Sequence, residues 1–138
     1  MGVVGHATGM AGEFHAMELL HRLGHQPALT LGNAKTVDIF SESASKKIYK
    51  VSVKAIRGGG KWGIGNEDYS KSEHENLVFI LFWYRKFEDL GEHPETWIVP
   101  AVEAEKLKRG WHNQSAIYLY KEDKLQLEPF KFAWQHLA

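Results

Sequence analysis

The sequence predicts an α/β or α+β sandwich in which a mixed central β-sheet is flanked by helices. Three observations carry this expectation. An amphipathic helical stretch opens the chain, extended segments with two-residue alternation follow it, and Asn76 to Tyr84 forms a nearly continuous apolar run. A run of that length reads as a central strand covered on both faces.

Glu13 to Leu23 carries the first helix, opened by Gly12 or Thr8 and ended by Gly24. At about 100° per residue, Ala16, Met17, Leu19, Leu20 and Leu23 share one arc, and His15, Glu18 and Arg22 lie opposite. Glu13 falls inside the apolar arc. A carboxylate there must find partners or sit at the core's edge, because an unpaired buried charge is costly.

Beyond Pro27 the pattern turns extended: Ala28 to Leu31, a Gly32-Asn33 turn, Thr36 to Ser41, a Ser/Lys turn, then Ile48 to Ile56. Alternation sets Tyr49, Val51, Val53 and Ala55 on one face of the last strand and Lys50, Ser52 and Lys54 on the other. Arg57 to Glu75 holds five glycines and mixed charge, which predicts a long mobile loop. Thr96 to Val99 is a short strand stopped by Pro100, and Ala101 to Arg109 a helix. Tyr118 and Leu119 mark a further small strand. Pro129 and the spacing of Phe130, Phe132, Ala133, Trp134 and Leu137 predict a closing helix. Without a repeat or a linker, residues 1–138 are expected to form a single domain.

Composition narrows the function. The chain has no cysteine, which removes disulfides, thiolate zinc sites and cysteine nucleophiles and fits a reducing compartment, with the cytoplasm as the expected location. The longest apolar run, Leu77 to Tyr84, is far short of the roughly 20 residues a bilayer span needs, so no membrane insertion is expected. Seventeen basic residues balance seventeen acidic ones, so nucleic-acid binding would have to come from a local patch. Lys46, Lys47, Lys50, Arg57 and Lys61 form such a stripe, with Trp62 or Tyr69 available to stack on a base. A solvated loop with routine surface charge accounts for the same residues equally well. The eight histidines show no ligand constellation and read as surface residues, and Gly60-Lys61-Trp62 lacks the Ser or Thr of a phosphate-cradling loop. No serine sits on a strand-to-helix turn of the kind hydrolases use. Trp83, Trp97 and Trp134 lie in apolar segments and read as core.

Three residues suit phosphodiester hydrolysis: Glu13, Asp38 and Lys54. Carboxylates bind magnesium or manganese, such an ion activates water, and an ammonium orients the nucleophile. On spacing alone, an ordinary cross-strand ion pair between Asp38 and Lys54 serves as well.

The segments AGEFHAMELLHRLG, TVDIF and YKVSVKA, in this order, resemble the PD-(D/E)XK nuclease superfamily, which includes restriction enzymes, Holliday-junction resolvases and homing endonucleases. The resemblance covers residues 9–56 by motif and is looser beyond. It implies a restriction endonuclease-like three-layer sandwich and a metal-dependent endonuclease acting on DNA with Mg2+ or Mn2+. By position, Glu13 matches the helix carboxylate, Asp38 the motif aspartate and Lys54 the motif lysine, with the Val53 carbonyl as a further metal ligand. Lys50, Arg57, Lys61 and Trp62 would contact the nucleic acid. Where the family carries Asp, Glu or sometimes Gln, this chain has Ser52, a neutral and weak ligand for a hard cation. The resemblance therefore admits a catalytically impaired domain that binds DNA or a protein partner. Reaching both strands of a duplex favours two active sites, hence a homodimer.

Overall fold

A computed structural model of the chain describes residues 2–31, 37–111 and 114–138. The helices are α1 (Gly2–Arg22), α2 (Ala101–Leu107) and α3 (Lys121–Leu127). The strands are β1 (Gln26–Leu29), β2 (Ile39–Glu42), β3 (Ile48–Ile56), β4 (Lys61–Gly63), β5 (Leu77–Trp83), β6 (Glu95–Pro100), β7 (Arg109–Trp111) and β8 (Gln114–Tyr118). The expected Gly32-Asn33 turn and Thr36 lie outside the described residues.

Five strands form one sheet in the order β1-β2-β3-β5-β6, and β4-β8-β7 form a second. Only β3 and β5 of the larger sheet run parallel; its other pairs are antiparallel, so the sheet is mixed as expected. β5 lies inside it with Leu77 to Phe82 all buried, the outcome its apolar run requires.

Alternation divides the core in two. Val51, Val53, Val78, Ile80, Phe82 and Ile98 face Ala16 and Leu20 of α1. Phe79, Leu81, Trp97 and Val99 face Trp62 of β4, Ile117 of β8, Ala104 of α2 and Leu127 of α3. The result is a three-layer α+β sandwich: α1, the five-stranded sheet, and a layer made of the small sheet with α2 and α3. Besides Ile56 at its end, β3 contributes nothing to the second core. The Lys50, Ser52 and Lys54 face of β3 is therefore left at the border of that layer.

Several elements differ from expectation. α1 begins at Gly2, well before the expected start, although glycine is a weak helix former. Thr8 is buried and its hydroxyl accepts from Arg57 Nε at 2.8 Å. Gly12 is pressed so closely on β3 that a Cβ there would lie 2.8 Å from that of Ala55. The helix stops where Gly24 takes φ +88°, open to glycine at little cost.

The stretch 57–75 is no open loop. It supplies β4 and a 3-10 turn, Ser72–His74, and forms the crossover that a parallel β3–β5 pair demands. The closing helix is replaced by two 3-10 turns, Glu128–Phe130 and Trp134–Leu137. Between them Lys131 bridges to Trp97 and the Phe132 amide donates to the Thr96 carbonyl at 2.9 Å, so β6 captures backbone that a helix would have used. α3, which precedes these turns, has no counterpart in the sequence reading.

Candidate active site

The site begins with a local irregularity in β2. Ile39 pairs with Val51, yet the Asp38 amide also donates to the Val51 carbonyl at 2.9 Å, so two residues oppose one in the manner of a bulge. Among the described residues, pairing of this strand with β3 stops here, while β3 continues to Ile56. Asp38 fills the first position of the gap with its side chain: Oδ2 accepts the Val53 N–H at 2.7 Å. Its backbone carbonyl accepts from the Thr30 amide at 2.9 Å, which ties it to the chain leaving β1. The N–H and C=O of one strand residue point to the same side, so the Val53 carbonyl faces the same gap.

Asp38, Ser52 and Lys54 line one cleft of ≈ 540 Å³, together with Lys50, Leu77 and Phe79 on the sheet side. Its opposite wall is the chain that leaves β4, Ile64 to Glu67, with Tyr69, Glu73 and His74. Ser52 is only 3% exposed, and Lys54 is half-buried. Lys50 reaches across the cleft, its Nζ donating to the Glu73 carbonyl at 3.0 Å. Tyr69 is buried against Phe79 and its hydroxyl donates to the Ile64 carbonyl. Burial pushes that phenol above its ordinary pKa, with Glu67 and Glu105 adding to the effect, so it stays a neutral donor.

Glu13 is placed differently. It is half-buried on α1, which packs on the Val53 and Ala55 face of β3 through Gly12, and it is not among the residues lining the cleft.

The nucleic-acid candidates divide as well. Lys50 lines the cleft and Lys61 is exposed on β4. Arg57 is held in a local cluster: Nε bonds Thr8, Nη1 lies 3.4 Å from Glu88 Oε2, and its guanidinium stacks 3.8 Å above the Phe87 ring. Trp62 corrects the sequence reading. It is 1% exposed, its indole N–H donates to the Phe82 carbonyl at 2.9 Å, and its ring meets Trp97 edge-on. Tyr69 is buried too, so neither ring presents a face to a base. Strand alternation sends Trp62 inward and Lys61 outward.

Two histidines also depart from expectation. His25 is buried, with Nδ1 2.7 Å from Ser41 Oγ and Nε2 2.7 Å from the Leu137 carbonyl. His74 joins Glu67 and Glu73 on the cleft wall, where one ligand atom from each lies within 4.8 Å of the others. Five residues lie between Glu67 and Glu73, in a stretch that forms neither an α-helix nor a strand, so no periodicity marks the pair.

The fold is similar to that of a solved bacterial homing endonuclease, I-Ssp6803I, with a TM-score of 0.59 and 18% identity over 94% of this chain and 88% of that one. No protein-family model and no curated protein matches the chain. Among the described residues no helix is long and apolar enough to cross a membrane. The chain thus has a nuclease-like α+β fold, with a cleft at the point where β2 leaves β3.

Proposed function

We propose that this chain is a divalent-metal-dependent endonuclease of the PD-(D/E)XK type that hydrolyses phosphodiester bonds in DNA. One observation carries the reading: a fold similar to that of a homing endonuclease has Asp38, Ser52 and Lys54 lining a single cleft beside the β2–β3 gap. The donors at that gap are all oxygens, the Asp38 carboxylate and the Val53 carbonyl, with Glu13 on the neighbouring helix. Such a set fits Mg2+ or Mn2+ better than a soft metal. A bound ion of this kind lowers the pKa of a coordinated water and offsets charge on the phosphate.

In this reading Asp38 anchors the ion, held in place by the Val53 N–H, and Glu13 adds negative charge from α1. Lys54 orients the attacking water and stabilises charge developing on the phosphoryl oxygens. Ser52 supplies a neutral hydroxyl. Lys50 and Lys61 contact phosphates, and a symmetric homodimer brings one site to each strand.

The test is cleavage of supercoiled plasmid with Mg2+ or Mn2+ against EDTA, for the wild type, Asp38→Ala and Lys54→Ala. Metal-dependent nicking lost in both variants is the expected result. A wild type that never nicks sinks the reading. Ser52 favours a second one, in which the domain keeps the fold and binds DNA or a protein partner without cutting. DNA binding that weakens with salt, in the absence of nicking, is its signature.

A further inference from the structure

The outward face of the small sheet adds to Lys61 two aromatic side chains and a second cation, Arg109, that the proposed cleavage chemistry leaves unused. Lys61 pairs directly with Tyr118 across β4 and β8, and Arg109 pairs with Ala116 one step along the same face of β8. The Arg109 guanidinium lies 4.3 Å from the Tyr118 ring centroid, and Lys61 Nζ lies 5.9 Å from it. Asp123 fixes the orientation of Arg109 through a 2.9 Å bond to one of its NH2 groups. Leu119 turns inward and continues the pairing by donating to the Gly60 carbonyl at 2.6 Å, which sends Tyr120 outward beside Tyr118. The two tyrosine rings are 5.3 Å apart. Tyr120 rests on Gly60, where a Cβ would come within 2.6 Å of its ring, and still leaves 47% of itself exposed.

We infer that Tyr120, flanked by Tyr118, Lys61 and Arg109, is a stacking platform for a single-stranded segment of DNA. A half-exposed aromatic next to a second ring that two cations flank meets both demands of an unpaired strand, a π-surface for a base and positive charge for the flanking phosphates. A duplex offers no free base face, so this surface selects strand that is displaced or unpaired. Continuity with the cleft identifies the occupant further. β4 begins at Lys61 on the platform, and Ile64, Gly65 and Asn66, directly after its end, line the cleft. Ser115 of β8 bonds Asn66 at 3.2 Å and locks the two surfaces together. The inference deepens the nuclease reading by adding a contact for the same substrate, but strand binding is measurable without cleavage.

The experiment is fluorescence anisotropy of a fluorescein-labelled oligodeoxythymidine in EDTA across a salt series, with melting temperatures of every variant. Tyr120→Ala is expected to weaken binding about tenfold or more while Tyr120→Phe, which keeps the ring, binds as wild type does. Lys61→Ala and Arg109→Ala should each flatten the plot of log K against log salt by about 0.7. Wild type that does not bind the strand, or Tyr120→Ala that binds it equally well, overturns the inference. Metal-dependent plasmid nicking by wild type alongside either of those results keeps the nuclease reading and removes the platform. Tyr120-dependent binding without nicking does the reverse.

Discussion

The Asp38 carboxylate accepts the Val53 N–H at 2.7 Å, taking the place of the backbone carbonyl that β2 would have offered had it stayed paired with β3. The same side chain thus closes the end of one strand pair and faces the cleft. These two roles are separable by substitution.

Asp38→Asn retains an acceptor oxygen for Val53 and removes the charge, whereas Asp38→Ala removes both. Loss of plasmid nicking is expected in each. Only the alanine variant should also lose about 1–3 kcal/mol of stability in chemical denaturation, because it strands the half-buried amide. Equal stability of the two variants would show that the bond to Val53 contributes nothing.

Ser52 stands where the resemblance places an acid, and it lines the cleft with Asp38 and Lys54. Ser52→Asp adds a hard anionic donor there, so the Mg2+ concentration giving half-maximal nicking should fall by about tenfold or more. Metal titration of both proteins measures this. An unchanged or higher requirement would place the ion away from Ser52.

Trp62→Phe should leave DNA affinity untouched while costing about 1–3 kcal/mol, since the buried Phe82 carbonyl loses its indole donor. Trp62→Ala should cost about 3–5 kcal/mol through the cavity it opens between the two sheets. Denaturant melts paired with anisotropy on labelled DNA separate these effects. Weakened binding by the phenylalanine variant at unchanged stability would restore a stacking role.

His15 introduces a pH dependence. Burial lowers its pKa from the ordinary value of 6.5, with Glu18 opposing and His93 and Arg22 reinforcing the shift. The unfolded chain therefore binds the proton more readily than the folded one. Stability from this group is present above about pH 6.5 and is lost as pH falls from there through the folded value. In His15→Gln the decline in melting temperature between about pH 7 and about pH 5 should be shallower than in wild type. Parallel curves would assign the acid sensitivity to other groups.

Much of the frame was legible in the sequence because it rests on periodicity. The alternation of residues 48–56 put Ser52 and Lys54 on one face and Val51 and Val53 on the other, and the structure keeps that division. The apolar run became an interior strand since no other placement buries it. What remained hidden depended on partners far along the chain. The first turns of α1 hold a tertiary contact, Arg57 Nε to the Thr8 hydroxyl, which no local propensity reports. Trp62 faces inward because β4 pairs with β8, more than fifty residues later in the sequence.

By itself, then, the sequence determined which residues share a strand face, where the first helix ends and which side chains are able to bind a hard cation, all consequences of short-range geometry and side-chain chemistry. Tertiary structure decided that Asp38 bonds Val53 across a bulge, that Glu67, Glu73 and His74 form the opposite wall of its cleft, and that Tyr118 and Tyr120 rather than Trp62 face outward. Those arrangements are set by strand pairing and layer packing, in which each residue's neighbours are chosen by the whole chain and not by the few positions beside it.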